Sequence, residues 1–114
     1  MIKIDSAQVQ GTNGAVWGTE TEDLNATLVR WEAGKGVDEH VSHEVDVVMT
    51  VLSGEGVVTM DGQAVTVCPG SIIVIPKATT RQILATSEDF TYLNVHQRRR
   101  KLMPHGVRPD RETI

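Results

Sequence analysis

Val57-Val58-Thr59-Met60-Asp61-Gly62-Gln63-Ala64-Val65-Thr66-Val67-Cys68-Pro69-Gly70-Ser71-Ile72-Ile73-Val74-Ile75-Pro76, residues 57–76, sets three short β-branched runs around two tight turns. Two short β-branched runs flank Asp61-Gly62-Gln63, a hairpin signature because glycine takes positive φ in a tight turn without steric cost. Pro69-Gly70 reads as a second turn, and Ile72-Ile73-Val74-Ile75 as a short strand able to be buried on both faces. Pro76 ends it, since proline cannot donate to a ladder. Outward from this stretch the signal stays β. Residues 45–52 hold Val45, Val47, Val48, Thr50 and Val51. Residues 24–31 alternate in part through Leu24, Ala26 and Leu28, before the turn Gly34-Lys35-Gly36. Residues 81–84 and 90–95 supply two more strands. No segment of ten residues shows an apolar period of 3.6, so an all-β, antiparallel sandwich or barrel is expected.

The chain has 114 residues, room for one domain, with 39% apolar and 23% charged residues, a globular balance. No apolar run reaches the ~20 residues of a membrane span. The start, Met1-Ile2-Lys3-Ile4-Asp5, lacks the apolar stretch of a signal peptide, so a cytoplasmic location and no membrane partner are expected. The single cysteine, Cys68, excludes an internal disulfide and reads as structural rather than nucleophilic. Charge is unevenly placed. Residues 1–95 carry 13 acids against 5 bases, a balance of −8, whereas residues 96–114 carry 6 bases against 2 acids, a balance of +4. With an acidic body and no aromatics interleaved in the basic run, the pattern argues against nucleic acid as a partner. The expected organisation is one domain over residues 1–97, with an N-terminal strand segment, and an extended basic arm over residues 98–114. Two prolines and a glycine keep that arm from being helical.

Two segments resemble the paired motifs of the cupin superfamily, small RmlC-like jelly-roll proteins. The first runs from Gly34-Lys35-Gly36 through His40-Val41-Ser42-His43-Glu44-Val45-Asp46-Val47 to Val51-Leu52-Ser53-Gly54-Glu55-Gly56. The second is Gly70-Ser71-Ile72-Ile73-Val74-Ile75-Pro76-Lys77-Ala78-Thr79-Thr80-Arg81. The resemblance implies an antiparallel double-stranded β-helix, a jelly-roll barrel with its ligand site inside. In many cupins three histidines and a glutamate hold a divalent metal. Aligned on Gly54, Gly70 and Pro76, those four positions fall on Val41, His43, Val47 and Arg81. Valine cannot coordinate, and a guanidinium repels a dication, so the resemblance implies a degenerate metal site with no metal and no cofactor.

If His43 points inward, strand alternation turns Val41, Val45, Val47, Met49 and Val51 inward too. His40 then has the opposite parity unless a bulge re-aims it, and His96 can look inward beside Tyr92 and Asn94. The candidate ligand-binding set is His43, Arg81, Val41, Val47, Met49 and His96. These residues suit a small organic anion paired with Arg81 and hydrogen-bonded by His43. Several alternatives stand beside this. Arg81 pairs with Asp38 or Glu39; His43 acts as general base of a metal-free isomerase or epimerase; or a remodelled His40, His43 and His96 site serves a metal-dependent oxygenase or isomerase. A further alternative is an interaction module built on the basic tail. Val48 and Leu52 have outward parity, which points either to a homodimer or to cover by the N-terminal segment around Val16 and Trp17.

Overall fold

The computed structural model describes residues 1–98; the basic arm expected beyond residue 97 therefore lies, but for Arg98, outside the described residues. A single 3-10 turn, Ser6–Gln8, precedes nine strands: β1 Gly14–Glu20, β2 Leu24–Trp31, β3 Gly36–Val41, β4 Val47–Ser53, β5 Gly56–Met60, β6 Gln63–Val67, β7 Ile72–Ile75, β8 Thr80–Ala85 and β9 Phe90–Gln97. They form two antiparallel sheets, in the orders β1-β2-β9-β4-β7 and β3-β8-β5-β6, the double-stranded β-helix arrangement. β3 has no distinct sequence signature because Asp38, Glu39 and His40 interrupt its apolar residues.

The hairpin that anchors the reading is a two-residue one. Met60 pairs with Gln63, and both Asp61 (φ 48°) and Gly62 (φ 82°) are left-handed, the conformation that matches the twist of the flanking strands. Asp61 also fixes this turn to β8: its Oδ1 accepts Thr80 N–H at 3.0 Å, and its own N–H donates to Thr80 O at 2.8 Å.

Strand alternation fills one end of the space between the sheets. Met49, Val51, Val58, Val67, Ala85 and Phe90 are buried there, and the Phe90 and Tyr92 rings lie 5.3 Å apart at a 52° tilt. Each fully buried Val, Met or Phe of this kind contributes about 1.5–3 kcal/mol. The alternation along β2 separates its two faces. Leu24, Ala26 and Leu28 face the outer surface, where Met1, Ile2, Ile4 and Trp17 share a groove with them. Asn25, Thr27, Val29 and Trp31 face inward instead. The clamp for this N-terminal cover is the buried Arg30. Its Nη1 donates to Val9 O (2.6 Å) and Gly11 O (3.1 Å), its Nη2 to Ser6 O (3.0 Å), and its Nε lies 3.1 Å from Asp89.

Candidate functional site

The other end of the interior is hollow, a cavity of about 420 Å³ between the two sheets. Its aliphatic wall includes Val29, Val37, Val47, Ile75 and Ile83, and its polar groups are Asn25, Thr27, His40, Arg81, Tyr92, Asn94 and His96. β9 supplies Tyr92, Asn94 and His96 on successive inward positions, about 7 Å apart along the strand. Arg81 enters from β8 in the opposite sheet, and His40 from the neighbouring β3, where the two residues are cross-strand partners. Arg81 and His96 are each 4% exposed.

The hydrogen bonds assign the His40 tautomer. Arg81 Nε carries a proton at all accessible pH and donates to His40 Nε2 at 3.2 Å, so Nε2 is the acceptor. The other ring nitrogen therefore holds the proton, and Nδ1–H donates to Asp38 O at 2.9 Å. On β9, His96 Nδ1 donates to Gln97 O at 2.7 Å. Trp31 Nε1 donates to the Tyr92 hydroxyl at 3.0 Å. Burial pushes the Tyr92 phenol up to about 12, with the Trp31 hydrogen bond opposing the shift in part. The phenol is thus neutral, and a donor, at any physiological pH.

That shift has a measurable consequence. Tyr92 titrates higher in the fold than in the unfolded chain, so its contribution is complete below pH 10 and lost as pH rises towards 12. Two pH units at 1.36 kcal/mol each make this a loss of about 3 kcal/mol. Tyr92 is the only tyrosine in the chain, so ultraviolet absorbance of tyrosinate reports it alone. Ionisation is expected to lag well above pH 10 and to coincide with alkaline unfolding; a free titration at pH 10 in folded protein is the contrary result.

Of the residues expected from sequence, the structure brings Arg81, Val47 and His96 to the cavity, together with His40. Met49 points inward but belongs to the packed end. His43 and Val41 do not reach the cavity: His43 is exposed and Val41 is 40% exposed. The alternation argument fails here for two reasons. A bulge between Val37 and His40 turns both of those residues inward and Val41 outward. Residues 42–46 then leave the strand, with Ser42 O accepting Ala78 N–H (2.6 Å) and Asp46 Oδ1 accepting Lys77 N–H (2.8 Å); His43 is exposed there, and the expected inward alternation resumes at Val45, which is buried, and continues through Val47. The trio His40, His43 and His96 is therefore not assembled, and among the described residues no three His, Cys, Asp or Glu side chains are grouped as metal ligands. The donors that do face the cavity fit a divalent ion poorly. They are two imidazoles beside a permanent cation, and one of the two already accepts that cation's N–H. Asp38 and Glu39 are exposed and do not line the cavity. Asn25 and Thr27 are additions to the set, and they share the parity of Val29 and Trp31, which is the signal that marks them; Tyr92 and Asn94 stand inward beside His96, on the face the alternation of β9 gives them.

Comparison with known proteins places this geometry. The structure is similar to that of KdgF from a Halomonas species, with 26% identity, a TM-score of 0.68, and coverage of 72% of this chain and 74% of that one. It is also similar to a putative sugar phosphate isomerase from Acidithiobacillus ferrooxidans, with 28% identity and a TM-score of 0.62, over 68% of this chain and 51% of that one. A double-stranded β-helix protein from Klebsiella pneumoniae shares the fold at 19% identity and a TM-score of 0.73, over 83% and 88% of the two chains. A search of curated proteins found no match. The cupin domain family matches residues 27–96, which hold β3 to β8 whole, most of β2 and β9, and every polar residue of the cavity except Asn25, and the chain belongs to that family.

Proposed function

We propose that this protein binds a small organic anion in the hollow end of the jelly roll, without a divalent metal. The observation that carries the reading is Arg81, a permanent cation that is 4% exposed and lines the cavity together with Val29, Val37, Val47, Ile75 and Ile83. The planar fork of a guanidinium matches an acid group, while the aliphatic wall takes the ligand's carbon skeleton. The likeness to a protein described as a putative sugar phosphate isomerase supports an anionic small molecule. A calorimetric screen of small carboxylates against the wild type and Arg81→Leu, with elemental metal analysis of untagged protein, tests it. Binding that depends on Arg81 is expected. Binding indifferent to Arg81, or near-stoichiometric metal that leaves with His40→Ala, overturns it in favour of a metal-dependent enzyme.

We also propose that the protein is a cytoplasmic homodimer, paired through the outer face of the five-stranded sheet. The N-terminal segment lines a groove over the β1–β2 side, whereas Val48, Ile72 and Val74 on β4 and β7 are exposed and share one face. That patch is uncharged, so a second copy meets it without burying an unpaired charge. Light scattering is expected to give twice the 12.5 kDa chain mass, falling to the single mass in Val74→Glu; a monomeric wild type refutes the pairing.

A further inference from the structure

Asn94 lies at the centre of the β9 row, 7% exposed, with its Oδ1 buried and without a hydrogen-bond partner. One inward position away, the Tyr92 hydroxyl accepts Trp31 N–H, and its own proton has no acceptor among the described residues. An unsatisfied acceptor and an uncommitted donor thus occupy successive inward positions of β9, in the wall of the cavity that Arg81 also lines. An alkyl chain laid on this row leaves the amide dehydrated with nothing in exchange. A hydroxyl group serves both neighbours at once, donating to Asn94 and accepting from Tyr92. Resting on the anion reading above, we propose that the ligand is a hydroxycarboxylate: its acid group is held by Arg81 in one sheet, and a hydroxyl on its carbon chain is read by Asn94 and Tyr92 in the other.

Pairs of acids that differ only in their hydroxyls test this: gluconate against hexanoate, and glycerate against propionate, titrated calorimetrically into the full chain. In the wild type the hydroxylated member of each pair is expected to bind at least about tenfold tighter, the size of one satisfied buried polar pair. Asn94→Leu is expected to bring the members of each pair within about threefold of one another, and the smaller Asn94→Ala to act likewise; Arg81→Leu weakens both members together. A wild type that binds the plain acids as tightly as the hydroxylated ones overturns the hydroxyl subsite while leaving the anion reading standing. Preference that survives in both Asn94 variants also overturns it. Failure of every acid to bind removes the anion reading itself.

Discussion

Arg81→Leu is expected to weaken carboxylate binding at least about a hundredfold while the protein still folds. Removing one side of a buried, charge-assisted hydrogen-bonded pair costs about 2–5 kcal/mol, and a hundredfold corresponds to about 2.7 kcal/mol of that range. The fold has less at stake. Leucine keeps an apolar stem in the wall that Ile83 and Val37 also line, and it leaves no buried charge of its own behind. His40 loses its Arg81 partner but is only partly buried, so solvent in the cavity can replace it. Arg81→Lys separates charge from shape. A lysine ammonium keeps the cation but cannot hold His40 and both carboxylate oxygens in one plane, so binding about tenfold weaker than the wild type is expected. Calorimetry for affinity and circular dichroism for melting check all three proteins together. Arg81→Leu with undiminished affinity would move the anion subsite elsewhere.

Gly54→Val is expected to destabilise the fold by more than about 4 kcal/mol, a large share of the roughly 5–15 kcal/mol that holds a typical domain together. Gly54 has φ +70°, a conformation that costs a β-branched residue about 1–3 kcal/mol. A Cβ there would also stand 2.6 Å from Phe90 Cα and 2.8 Å from Asp89 O. Those are backbone atoms at the start of β9, pinned by pairing with both β2 and β4, so they cannot move aside without shifting the sheet. Gly70 provides the control. Its φ is +94°, but a Cβ there meets nothing within 4 Å, so Gly70→Ala isolates the conformational cost and is expected to lose only about 1–2 kcal/mol. Chemical denaturation of the two variants should therefore differ by at least about 2 kcal/mol; equal losses would show that crowding at Phe90 contributes nothing.

The strands were readable because a β-ladder writes its period into the chain. The alternation Val47, Met49, Val51 and the Asp61-Gly62 turn each stand in the structure where the sequence puts them. Arg81 was reachable because the motif's fixed spacing from Gly70 and Pro76 carries through the turn at residues 76–79 onto β8. His43 was not reachable, because parity survives only along an uninterrupted strand, and residues 42–46 leave it. His40 was ambiguous for a related reason: a bulge is a local backbone choice that leaves no compositional mark. On β2 the alternation was legible but its direction was not. Its apolar residues face outward because the N-terminal segment covers them, a contact between parts of the chain about twenty residues apart that periodicity cannot register. The donor and acceptor state of Tyr92 and Asn94 is invisible in one dimension, since it depends on which partners the fold denies them.

The space between the sheets is divided lengthwise, filled at the Phe90 end and empty at the Arg81 end. Folding energy is concentrated in one half and chemical identity in the other, so a change of side chain around the void meets little mechanical resistance. Such a scaffold can be re-addressed to a new molecule by a few exchanges along β8 and β9, with no repair needed in the half that keeps it standing.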